Sequence, residues 1–591
     1  MKRSRKHNDT KPHAARSKRG GSAGTPPVPP ADGPAVDDGP VRTTPVALPT
    51  AFVARTRQEL GDLEALALCE ALEGTPPVCI RLNPAKWPRT AASTPEAEMS
   101  GRTAASEADR PDTVHAALSG SRGAAPSSCG PASAEPDATS RPAGERNTAE
   151  QGAAGRPETE QNATEQNSSG RPAEVRRVAG EPVAGRIPWS AEGLYLAERP
   201  SFTCDPAFHA GAYYVQEASS QFVGHLLRGA GTLGARILDL CAAPGGKTTL
   251  YASLVGPDGL VVANEIDRRR ARVLADNVRK WGTGNTVVTS NEPAQLARFE
   301  NRFDIVAVDA PCSGEGMFRK DPQARAEWSE GSVRLCAARQ AEILRAAWAA
   351  LRPGGTLVYS TCTFNRTEDE GVLEELLGWA ADEVVESEPI PTDPSWGIVC
   401  GRVGAFRTFR FYPHRAQGEG FFAATARKAL RTGAAIRAPK PQRQPLNPAG
   451  REARQELERW VAAPADYRFA EVAGCYYGYR AAQFEEVKAL AGTLAVLYSG
   501  VAMGALYDGK LKPDPALAFH TGLDRRALPV AELSHDEAVQ YLRKGDLRAE
   551  AFAEGTNLVC AGGFALGFAK RIGNRVNNLY PNSLRILKGG A

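Results

Sequence analysis

Long apolar runs are missing. No stretch of 18 or more apolar residues occurs in the 591-residue chain, so no transmembrane helix is expected. The basic N-terminus has no apolar segment behind it, so it does not read as a secretory signal. Paired metal-type cysteines are missing as well. The eleven cysteines stand at 69, 79, 129, 204, 241, 312, 336, 362, 400, 475 and 560, with no C-x-x-C and no clustering with the eight histidines. That argues against a structural zinc, any other metal site and a disulfide framework. Free thiols in the cytoplasm are the expectation. Charge of one sign is not in excess either. Seventy-two Lys+Arg against 68 Asp+Glu leave +4, which excludes a uniformly basic coat but leaves room for local basic patches. Aromatic residues are scarce, at 7%, beside 58 Gly and 44 Pro. Part of the length is therefore expected not to fold.

The aromatic deficit is local. Residues 1–46 hold no Phe, Trp or Tyr, and the first twenty carry eight Lys/Arg against Asp9 alone; this reads as a solvated basic arm. Residues 91–180 also lack aromatics, and their only Ile, Leu or Val are Val114, Leu118, Val175 and Val178. Such a stretch cannot bury enough apolar surface to offset chain entropy. A disordered insertion over 91–182 is expected within a domain formed by 47–90 and 183–225. Before it, Phe52 to Leu72 has helical apolar spacing, and Val78–Asn83 reads as a strand.

A second domain is expected over 226–430. Apolar strands at Ile237–Leu240, Leu260–Ala263, Ile305–Val308 and Leu357–Tyr359 alternate with helical stretches. That pattern means α/β architecture, a doubly wound parallel sheet covered on both faces. Pro353-Gly354-Gly355 reads as a sharp turn feeding the last strand, and 405–428 as a hairpin around Gln417–Gly420. A polar linker at 431–454 leads to a separate small α+β domain at 455–591.

Four strand ends carry chemistry. Asp239-Leu240-Cys241-Ala242-Ala243-Pro244-Gly245-Gly246-Lys247-Thr248 is a small-residue loop opening a helix. It sits where doubly wound sheets bind nucleosides, and it is neither a Walker loop nor G-x-G-x-x-G. Cys241 through Lys247 are its cofactor-binding candidates. Past the second strand, Glu265, with Asp267 as the alternative, can accept the two hydroxyls of a ribose. Asp309-Ala310-Pro311-Cys312 and Tyr359-Ser360-Thr361-Cys362 close two further strands. The spacing alone does not say which cysteine reacts.

In this order, these motifs resemble the RNA cytosine-5 methyltransferases of the Nol/Nop/Sun type. They are closest to the bacterial F-type branch, which modifies small-subunit ribosomal RNA. Tyr214–Ser220 and Gly418-Glu419-Gly420-Phe421-Phe422 also match that pattern. The resemblance covers about 48–90 and 183–591, and the insertion departs from it. It implies a Rossmann-like class I methyltransferase sheet with S-adenosylmethionine as cofactor. It also implies an N-terminal RNA-binding region and a C-terminal PUA-like domain.

The resemblance further implies a reaction. A thiolate adds to C6 of cytosine and makes C5 nucleophilic toward a methyl group. An acid steadies the base at N3/N4. DNA cytosine enzymes take the nucleophile from a Pro-Cys like Pro311-Cys312. In the RNA family the Thr-Cys position attacks, which assigns Cys362 as nucleophile, Cys312 to product release and Asp309 to the base and the cofactor. The family also has an acid or amide near the adenine, which points to Asn291, with Glu292 as the alternative. RNA contacts are expected at Arg319 and Lys320 past the Pro-Cys, and at Lys570, Arg571 and Arg575 in the acid-free stretch 556–591. A cytoplasmic monomer is expected. Transfer RNA as substrate, and a non-catalytic ribosome-assembly role, stay open at this point.

Overall fold

The computed structural model describes residues 46–87, 175–433, 435–443 and 446–587. The basic arm and most of the insertion lie outside these residues. Five strands pair in parallel in the order Leu351–Thr361, Phe303–Asp309, Arg236–Asp239, Leu260–Asn264, Thr286–Thr289. Chain order therefore reverses beside the first strand, the arrangement in which ligands bind beyond the carboxyl ends.

Successive residues on each strand enter different cores. Leu238, Val262, Val306 and Leu357 pack with Leu344 and Trp348 of the helix Glu330–Ala350. Their neighbours Ile237, Val261, Ile305 and Val358 pack with Tyr251 of the helix Gly246–Leu254 and with Trp189 and Phe222. Side chains alternate along a strand, so strands apolar at every position need helices on both sides. The hairpin Phe406–Phe411/Phe421–Lys428 extends the sheet antiparallel to Leu351–Thr361.

Several boundaries differ from the sequence expectation. Pro353-Gly354-Gly355 lies inside the strand Leu351–Thr361, where the register slips between Leu351 and Thr356. Its turn chemistry makes a bulge rather than a connection. The stretch 175–182, expected within the insertion, contains strand residues: Arg177–Val178 and Glu181–Arg186 are strands. They join a five-stranded sheet with Gly193–Leu196, Val78–Leu82 and Tyr213–Val215. Val78–Leu82, encoded ahead of the insertion, pairs on both sides with strands encoded after it.

The C-terminal part is not separate. Val496–Ser499 adds an antiparallel strand to the parallel sheet beside Thr286–Thr289. Tyr479, Phe484, Val487 and Leu490 enter the same core as the parallel strands. The linker is not free either. Leu446 is buried in that core, Asn447–Pro448 pairs with Tyr467–Val472, and Arg451–Glu458 is helical. A distinct four-stranded sheet begins only at Val530–Glu532 and continues through Gly555–Ala561, Phe564–Ile572 and Arg575–Asn578. Among the described residues no helix is long and apolar enough to cross a membrane.

Candidate active site

The parallel register sets Ser360 opposite Asp309 at the ends of the two strands that carry the cysteine motifs. The Cys312 and Cys362 sulfurs lie 3.1 Å apart. The Cys362 partner and burial together push the Cys312 thiol well above its ordinary value. Cys312 therefore keeps its proton and can donate it to the Cys362 sulfur. Asp309 is one-third exposed and is held from two sides. Ser360 Oγ donates to its Oδ1 at 2.8 Å, and Lys247 Nζ stands 2.9 Å from its Oδ2. The Lys247 ammonium also lies over the Phe421 ring. Burial alone would lower the Lys247 pKa, but Asp309 and the Cys362 sulfur outweigh it and raise it. Lys247 thus belongs to the cysteine–aspartate cluster as much as to the cofactor loop.

Carbonyl acceptors fix the loop from Cys241 to Gly246. Arg270 donates to Ala243 O at 2.9 Å, Asn277 to Pro244 O at 2.8 Å and Arg81 to Gly246 O at 3.0 Å. Arg81 comes from the N-terminal sheet and is fully buried against Trp281. Gly245 sits at φ +114°, a backbone that L side chains rarely adopt. Burial pushes the Cys241 thiol up and raises Asp239 to about 7, and Thr248 donates to the Asp239 carboxylate at 2.7 Å.

At the end of the second strand Glu265 is buried, with one oxygen on Asp267 N and the other 3.2 Å from Arg270. The alternative, Asp267, is exposed and caps the helix Arg268–Trp281, its Oδ1 accepting from Arg269 N and Arg270 N. This donor set fits a nucleoside cofactor. It offers a carboxylate for ribose hydroxyls, a loop bare of large side chains, and polar groups leading toward Asp309.

Two sequence assignments do not hold in the structure. Asn291 spends its carboxamide on the chain, with Oδ1 accepting from Ala495 N at 3.0 Å and Nδ2 reaching Ala495 O. Its alternative Glu292 forms a capping box with Gln295. The Asn291 amide is thus tied to the strand edge, while Glu292 is exposed at the start of the helix Pro293–Ala297. Arg319 is buried, donating to Glu419 at 3.1 Å and Gly418 O at 2.6 Å. It braces the hairpin and is not free for a phosphate. Lys320 is one-third exposed, 3.5 Å from the same Glu419. In the C-terminal sheet, Arg571 donates to Gly573 O and Phe552 O, while Lys570 and Arg575 are exposed.

The structure also shows contacts within and beyond the named motifs to which the sequence assigns no role. Glu217 accepts Ser219 N, Ser220 N and Glu419 N, tying the Tyr214–Ser220 segment to the hairpin. Glu368 accepts Ser313 N, Gln340 and Asn365 beneath the two cysteine loops. Gly316 and Gly420 touch; a Cβ on Gly316 would stand 2.3 Å from Gly420 O. A cavity of about 660 Å³ opens at the opposite, amino-terminal ends of the strands, between Arg236, Asp304 and Arg352. The cysteines and acids converge at the carboxyl ends instead, so the site is assigned there.

Comparison with known proteins gives the same picture. The family model for 16S rRNA methyltransferase RsmB/F matches residues 231–427. The N-terminal domain of 16S rRNA methyltransferase RsmF matches 159–218, and the RsmF PUA domain matches 529–586. The ribosomal RNA small subunit methyltransferase F of Erwinia tasmaniensis is 32% identical over 417 residues, covering 67% of this chain and 84% of that protein. Its namesake from Citrobacter koseri is 33% identical over 423 residues, covering 67% and 84%. Among solved structures, NSun6 from Pyrococcus horikoshii aligns with 65% of this chain and 100% of its own, at 18% identity and a TM-score of 0.43. With its cysteine pair, its cofactor loop and matches to all three domains, the chain belongs to the 16S rRNA methyltransferase RsmB/F family.

Proposed function

We propose that the protein is an S-adenosylmethionine-dependent RNA cytosine-5 methyltransferase acting on small-subunit ribosomal RNA. The observation that carries this is the pair of thiols 3.1 Å apart beside an aspartate that a lysine holds. Two adjacent thiols with an acid in reach suit a base that must be attacked and then released. A cytosine must leave its stack to meet them, at a cost of a few kcal/mol.

In this reading Cys362 forms the bond to C6, and the C5 carbon gains the electron density that the thiolate brings. Asp309 hydrogen-bonds the base at N3/N4, and Lys247 offsets the charge that gathers there. S-adenosylmethionine, when bound, supplies the methyl group; Cys241–Gly246, Glu265 and Asp309 would hold it. After transfer the C5 proton is lost and the Cys362–C6 bond breaks. Cys312 stands beside that bond and assists the release. Lys570 and Arg575 are exposed cations suited to the RNA backbone, and the protein is read as a cytoplasmic monomer.

Bisulfite sequencing of ribosomal and transfer RNA, from cells with and without the gene, tests the substrate. Loss of a methylated cytosine in the small-subunit RNA is expected. Loss confined to transfer RNA would contradict it.

A further inference from the structure

Glu315 stands three residues past Cys312 and is fully buried. Its Oε1 accepts from Arg55 at 2.6 Å, Trp328 Nε1 at 2.9 Å and Asn365 Nδ2 at 3.1 Å. Its Oε2 accepts from Phe364 N at 3.1 Å. Phe364 and Asn365 follow Cys362 by two and three residues, so one carboxylate joins the two cysteine loops. The same loops meet again where Gly316 N donates to Cys362 O at 2.9 Å. Arg55 belongs to the helix Thr50–Leu60, whose Phe52 packs on Phe318, Trp328 and Phe364.

A buried carboxylate among aromatic rings is costly unless its partners satisfy it. Four donors converge here, and Arg55 supplies the compensating charge while lying over the Trp328 ring. An amide could not accept all four, because its own N–H₂ would face a donor. Packing alone would be served better by an apolar residue. A carboxylate at this point makes the separation of the two sulfurs depend on a network anchored outside the sheet.

We propose that Glu315 is a positioning residue that sets Cys312 against Cys362, and that Arg55 ties this setting to the N-terminal helix. The proposal rests on the reading of Cys312 and Cys362 as the reacting pair. A displacement of about 1 Å in a reacting group costs on the order of 100-fold in rate.

The test is steady-state methyl transfer to a small-subunit RNA transcript, with kcat and the KM for S-adenosylmethionine measured separately. Glu315→Gln should lose about 100-fold in kcat, with that KM within about twofold. Arg55→Met, on a partly exposed helix face, should lose about tenfold in kcat alone, and Arg55→Lys should recover most of it. If Glu315→Gln does not fold, the Arg55 pair decides. A kcat within twofold of wild type in these variants overturns the proposal. So does a cofactor KM that rises in step with the loss. Cys362→Ala runs alongside. If it retains methyl transfer, the cysteine reading fails; if it is inactive while Glu315→Gln and Arg55→Met are not, only the Glu315 proposal fails.

Discussion

Two thiols at hydrogen-bond distance, 3.1 Å apart, cannot both ionise cheaply, because like charges at that range disfavour each other. Burial and the Cys362 partner push the Cys312 thiol up, so Cys312 resists ionisation. Lys247 is a cation that feels the Cys362 sulfur and pairs with Asp309. Lys247→Met should lower kcat about 100-fold while the KM for S-adenosylmethionine changes less than about threefold. A large KM rise at unchanged kcat would return Lys247 to a purely cofactor-binding role. At this scale the sequence was informative wherever function sits in contiguous motifs. The strand-end motifs pick out Asp309, Cys312 and Cys362, and the structure brings the two sulfurs to 3.1 Å. The place of Arg319 was not legible, because the acid that captures it, Glu419, is 100 residues away. Glu315 lay in plain view three residues past Cys312, yet its donors come from helix and loops that spacing cannot bring together.

Strands announce themselves by composition but not by partner. Val496-Leu497-Tyr498-Ser499 reads as a short strand anywhere, and only the structure shows that it caps the open edge at Thr286–Thr289. Asn291 locks that edge by accepting from and donating to the backbone of Ala495. Removing two hydrogen bonds of this kind costs about 1–3 kcal/mol. Asn291→Ala should accordingly lower the thermal midpoint and leave the cofactor KM within about twofold. A tenfold rise in KM with an unchanged midpoint would mean that the side chain contacts the cofactor after all. The parallel core was legible because its strands are apolar on both faces. The bulge at Pro353–Gly355 was not, since the same residues also make turns.

Buried histidines join the parts of the molecule. His520 takes Tyr467 OH on one nitrogen and Gly282 O on the other, linking the C-terminal part to the end of the helix Arg268–Trp281. His209 bridges Thr203 O and Tyr580 OH, linking the N-terminal region to the last sheet. Burial lowers both to about 4. Between pH 4 and 6.5 the unfolded chain binds protons that these folded histidines refuse, so stability rises with pH across that window. Acidifying from pH 6.5 to 5 should cost about 2 kcal/mol for each histidine. A calorimetric midpoint that falls over this range in wild type and less in His520→Gln would agree; identical pH profiles would not. The exposed pair Lys570 and Arg575 belongs to the same scale. Changing both to Glu should weaken RNA binding at least tenfold, flatten its salt dependence and spare cofactor binding. Equal RNA affinity in filter binding would exclude the last sheet from the RNA interface. Charge balance over the whole chain concealed these local cations.

The most direct measurement is a denaturing gel of protein incubated with small-subunit RNA and S-adenosylmethionine. Cys312→Ala should trap a covalent protein–RNA adduct, and Cys362→Ala should neither form the adduct nor transfer a methyl group. Methyl transfer by Cys362→Ala, with none by Cys312→Ala and no adduct, would contradict the account.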